Sequence, residues 1–191
     1  MKYLVRFTIF IAALLPASVS HALPILSIDV DPAAGGIQAS RTVTVGSTFM
    51  VNVRIDDVTG LYAYDIDVDH NSAVLTATNA LEGPFLAAGG ATFFHAPTPA
   101  DPVNAVATLL GAVPGVSGSG VLYSIQYSAL AVGSSLLDFT SLDLLDDQFN
   151  PIQPELAAGS INVVAQIPEP STLLMLGVGF AGLAAARRPR R

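Results

Sequence analysis

Apolar and polar residues alternate with a period of two along much of this chain. Over residues 48–55, Phe49, Val51, Val53 and Ile55 fall on one side, and Thr48, Met50, Asn52 and Arg54 on the other. Successive side chains of a strand point to opposite faces, so this is the pattern of a half-buried β-strand. Residues 61–69 repeat it, with Tyr62, Tyr64, Ile66 and Val68 facing inward and Ala63, Asp65, Asp67 and Asp69 outward. Apolar stretches at 25–30, 91–95, 105–110, 121–130, 135–140, 142–145 and 160–164 bring the set to eight or nine short strands. Turn-forming residues separate them: Asp31-Pro32, Gly35-Gly36, Asp56-Asp57, Thr59-Gly60, Gly83-Pro84 and Gly89-Gly90, with 115–120 reading as a flexible loop. No stretch between the two ends has the 3.6-residue period of a helix. The pattern predicts an all-β domain over residues 23–166, a sandwich or jelly roll.

The two ends have a different character. Lys2 and Arg6 precede a nine-residue apolar run at 7–15, Pro16 breaks it, and Ser20-His21-Ala22 supplies small residues at the −3 and −1 positions. This layout is that of a secretory signal peptide over residues 1–22, with cleavage after Ala22. The apolar run is too short to span about 30 Å of hydrocarbon as a permanent anchor. At the other end, Pro168-Glu169-Pro170 is followed by sixteen uncharged residues, 171–186, and then by Arg187, Arg188, Pro189, Arg190 and Arg191. As a helix that segment would reach about 24 Å, a marginal transmembrane length. The arginines favour the cytoplasmic side, which leaves the middle of the chain outside the inner membrane. Both ends therefore give the same topology. The string Gly177-Val178-Gly179-Phe180-Ala181-Gly182 spells a dinucleotide-binding motif, but only nine residues follow it, too few for a βαβ unit.

Composition narrows the function. Between residues 23 and 167, Arg41 and Arg54 stand against fourteen acidic residues, a net charge of −12. Such a charge repels phosphate backbones and argues against nucleic acid as a partner. The chain has no Cys, which removes disulfides, thiolate metal sites and Cys nucleophiles.

The C-terminal arrangement of the Pro168-Glu169-Pro170 triplet, a short apolar segment and a terminal arginine cluster resembles the PEP-CTERM sorting signal of Gram-negative bacteria. The resemblance implies recognition and processing by a membrane-embedded exosortase, with temporary anchoring in the inner membrane and delivery to the cell surface or beyond, in a biofilm or exopolysaccharide setting. A second resemblance covers roughly residues 26–164. Val45-Gly46-Ser47-Thr48-Phe49, Asp57-Val58-Thr59-Gly60-Leu61, the alternating 64–69 strand and Ser72-Ala73-Val74-Leu75 are similar to cohesin-type modules. The family's usual Asp-Pro before that last step is replaced here by His70-Asn71-Ser72. This resemblance implies a non-catalytic adhesion or matrix-binding module that takes a protein or polysaccharide, with a carbohydrate-binding domain, Ca-dependent or not, as the alternative.

Candidate chemistry is sparse. Asp65, Asp67 and Asp69 lie on one strand face about 6–7 Å apart, and could either stay hydrated or attract Ca²⁺. They are no EF-hand, since His70 and Thr76 replace the Gly and Glu that loop requires. The turn Asp146-Asp147-Gln148-Phe149-Asn150 is a second acidic candidate. His70, expected in a turn, and His95, at a strand end, are too few for a zinc site, and no nucleophile elbow is present. Tyr62, Tyr64, Tyr123 and Tyr127 read either as core residues or as a sugar-stacking platform.

Overall fold

The computed structural model describes residues 23–166, together with Phe180. The expected signal peptide at 1–22, the Pro168-Glu169-Pro170 triplet, the apolar segment around Phe180 and the arginine tail lie outside the described residues. Among the described residues, no helix is long and apolar enough to cross a membrane.

Across residues 23–166, ten strands and one short helix follow in the order β1 (Ile25–Asp29), β2 (Ser40–Thr44), β3 (Thr48–Asp69), β4 (Leu75–Glu82), α1 (Pro84–Ala87), β5 (Thr92–His95), β6 (Val103–Leu109), β7 (Val116–Ala129), β8 (Gly133–Asp146), β9 (Glu155–Ala157) and β10 (Gly159–Val164). The all-β expectation holds. The organising element is β3. Its first half pairs antiparallel with β1 on one side and β7 on the other, and its second half with β6 and β8. One layer therefore runs β9-β1-β3-β7-β4, the other β5-β6-β3-β8, and β8 continues into β10 and β2.

The alternation read from the sequence packs the space between the layers. Phe49, Val51, Val53 and Ile55 from the first half of β3 are buried with Ile125 and Tyr127 of β7. Tyr64, Ile66 and Val68 from its second half are buried with Val103, Ala105 and Ala107 of β6 and Leu144 of β8. Together they form one hydrophobic core, closed at its edge by Val43, Ile161 and Val163.

Several local expectations need correction. The predicted break at 56–60 is a change of sheet, with pairing continuing through it as Val58 faces Gly118. Positive φ values at Asp57 (57°) and Gly60 (70°) make the bend. The stretch 115–120 is not a free loop, because Val116–Gly120 extends β7 along this bend. The separate strands expected at 135–140 and 142–145 are one strand, β8, with a register shift facing Asp67 and Val68. Strands β2, β4 and β9 lacked a sequence signal, being short, polar or at a sheet edge.

Candidate docking face

The outer surface of β5, β6, β3 and β8 is an open sheet face. Cross-strand register sets its rows. Phe93 lies opposite Thr108, which lies opposite Ala63, which lies opposite Leu145. The next row is His95, Val106, Asp65 and Asp143, and the one after it joins Asn104, Asp67 and Ser141. Asp69 faces Asp138 beyond them. One end of the face is thus apolar and the other acidic. Ala63, Val106, Thr108 and Leu145, flanked by Asp65 and Asp143, line a shallow depression of about 170 Å³. Phe93 is 52% exposed and stacks on His95 at 6.5 Å.

The three aspartates share a face as expected, but the sequence concealed what sits between them. The Asn104 amide donates to Asp65 Oδ1 at 2.7 Å and to Asp67 Oδ1 at 2.6 Å. A neutral donor from β6 thereby bridges two carboxylates. Among the described residues, no three His, Cys, Asp or Glu side chains converge closely enough to hold a metal ion. The Asp146 turn is likewise self-contained. Asp146 Oδ1 accepts the backbone N–H of Gln148 at 2.9 Å and of Asn150 at 2.8 Å, and Oδ2 accepts the Asn150 amide at 2.9 Å. Those bonds, the Asn150 side chain first, hold the Asp146 carboxyl below its usual value. The turn displays Phe149, 68% exposed, edge-on against Tyr62 at 5.9 Å.

The tyrosines do not form a platform. Tyr64, Tyr123 and Tyr127 are buried, and Tyr64 stacks on Tyr123 across the two layers at 6.0 Å. Burial pushes all three hydroxyls far above their ordinary pKa. Tyr62, expected to face inward, is only partly buried and donates to the Gly111 carbonyl at 2.6 Å. A register irregularity between Leu61 and Ala63 puts Leu61 into the core instead.

His70 is also not in a surface turn. Its side chain is 1% exposed, with Nδ1 3.4 Å from Asp101 Oδ1, and its ring meets Tyr127 edge-on at 5.2 Å. Burial lowers its pKa, against the opposing pull of Asp101 and Asp69. His95 lies opposite Val106, which lies opposite Asp65, five positions before His70 on β3. The two histidines are therefore about 16 Å apart along the strand direction and form no joint site.

Residues 166–191 match the PEP-CTERM protein-sorting motif. No curated protein sequence matches the chain. Its fold is similar to that of solved cohesin modules. A non-cellulosomal cohesin from Archaeoglobus fulgidus aligns with a TM-score of 0.58 at 16% identity, covering 75% of this chain and 92% of that one. The sixth cohesin of scaffoldin B from Acetivibrio cellulolyticus, solved with a dockerin, gives 0.59 at 17% identity, covering 75% and 100%. A type I cohesin from Pseudobacteroides cellulosolvens gives 0.57 at 18% identity, covering 76% and 95%. The chain thus joins a PEP-CTERM sorting motif to an all-β unit with the fold of a cohesin.

Proposed function

We propose that this is an exported, exosortase-processed surface protein whose β-sandwich docks a protein partner on the outer face of β5, β6, β3 and β8. The exosortase is the enzyme in this reading, and the sandwich itself is a non-catalytic adhesion or matrix module. The observation that carries the docking reading is the open sheet face that places an apolar depression beside paired carboxylates. Asp65 opposite Asp143, and Asp69 opposite Asp138, set like charges across strands, an arrangement that costs stability. A purely structural face has no use for that cost, whereas a recognition face does. The cohesins solved with dockerins add support, since protein recognition is what those modules do in their complexes. Burial of Tyr64, Tyr123 and Tyr127 removes three of the four rings that a sugar-stacking platform of tyrosines would use.

The docking test uses the protein as bait for exported proteins of its own host. Leu145→Arg blocks the face, and Gln126→Arg places the same charge on the opposite layer. A partner retained by the parent and Gln126→Arg proteins but lost with Leu145→Arg supports the reading. Equal retention by all three, or retention only on insoluble polysaccharide, defeats it. The sorting half is tested by intact mass in hosts with and without the processing enzyme, where loss of the tail is expected only in its presence.

A further inference from the structure

One end of the sandwich differs from the rest of its surface. Segments 43–48, 71–76, 128–137 and 162–166 converge there. Val164 lies opposite Thr44, Gly133 opposite Val163, and Leu75 opposite Ala129. Backbone bonds tie the turns together: Val45 N–H to Val164 O at 3.0 Å, Gly46 N–H to Ala129 O at 2.9 Å and Leu130 N–H to Val74 O at 2.8 Å. None of these four segments contains a charged residue, in a region of net charge −12. The charges at this end flank them, with Arg41 lining a depression beside Val43, Thr44, Ser47 and Val164, the Asp69–Asp138 pair adjoining residues 71 and 137, and Asp101 against His70. At its tip, Leu130 is 50% and Val132 62% exposed. The opposite end, where Leu61 faces Asp146, carries Asp56, Asp57, Asp146 and Asp147.

This end is also where the chain leaves for the sorting segment. Six residues, 165–170, separate Val164 from the apolar stretch that begins at Ser171. Fully extended they span about 20 Å, so an anchored chain holds this end close to the bilayer. A strongly acidic domain would be repelled by anionic headgroups, and the surface repelled least is a tip that carries no charge over residues 128–134 and projects two aliphatic side chains. Resting on the reading that the sorting segment anchors the chain, we propose that this end is a lipid-facing surface. Leu130 and Val132 enter the headgroup–acyl boundary while the tail is in place. The other end and the docking face then point away from the membrane or along it. Release of the tail frees the patch from the lipid.

The absence of native Cys permits a direct test on the full chain in phosphatidylcholine–phosphatidylglycerol vesicles. Leu130→Cys, Val132→Cys and, at the opposite end, Asp147→Cys are each labelled with an environment-sensitive fluorophore, with a quencher carried on the lipid. The expected result is blue-shifted emission, quenched by the lipid-borne probe, at 130 and 132 and at neither extreme for 147. Alkaline carbonate extraction separates the two possible failures. A chain washed off the vesicles overturns the anchoring reading along with this one. A chain that resists extraction while 130 and 132 report water overturns the lipid-facing surface alone. Blue-shifted emission at 130 and 132 without lipid quenching overturns it too, in favour of contact with a second copy of the protein.

Discussion

Tyr64 and Tyr123 stack in the centre of the core, yet their hydroxyls have different surroundings. Tyr64 donates to the Leu122 carbonyl at 3.0 Å, whereas the buried Tyr123 hydroxyl has no partner among the described residues. An unpaired buried polar group carries its desolvation penalty without return. Tyr123→Phe should therefore leave stability unchanged or raise it, while Tyr64→Phe should lower it by about 1 kcal/mol, measured by urea denaturation. His70 makes a pH-dependent contribution. Its folded-state pKa is depressed, chiefly by burial, so the unfolded chain takes up a proton that the folded one refuses. Its contribution is fully present above the unfolded value near pH 6.5 and is lost as pH falls from there toward the folded value. The melting temperature of the parent protein should drop between pH 7 and 5, and His70→Gln should flatten that slope. An equal slope in both proteins would remove His70 from the account.

Among the elements, β3 decides the architecture, because one strand serves both layers. The switch at 56–60 works through backbone approach more than through side chains. Gly115 packs so closely on Gly60 that a Cβ at 115 would overlap the Gly60 carbonyl, while a Cβ at Gly60 would meet open space but with φ at +70°. Gly115→Ala should cost about 2–3 kcal/mol through forced backbone displacement. Gly60→Ala should cost about 1–2 kcal/mol from left-handed strain alone. Reversal of that order in denaturation midpoints would show that the contact yields easily. The sequence marked this region as a turn through Asp57 and Gly60. It could not show that residues 116–120 pair alongside, since that contact joins positions as far apart as Val58 and Gly118.

Across the whole molecule, the sandwich closes by pairing its beginning with its end. β1 runs parallel to β9 and β2 parallel to β10, and Ile161 and Val163 complete the buried core. A chain truncated after residue 157 would leave the β2 and β8 edges open and Val43 uncovered. It should show no cooperative thermal transition, which circular dichroism would test. Pairings of such long range also favour slow folding, in milliseconds to seconds.

The alternation at 48–55 and 61–69, the C-terminal sorting motif and the charge of the middle were all set by local order in the chain. Period-two patterning requires only neighbours, and a sorting signal is read as a linear string. What the tertiary structure decided involves partners brought from afar: Asn104 between Asp65 and Asp67, Asp101 beside His70, the burial of three tyrosines, and the convergence of four uncharged segments at one tip. No local pattern encodes these, because their energies arise only when strands distant in sequence are brought into register and water leaves the space between the sheets.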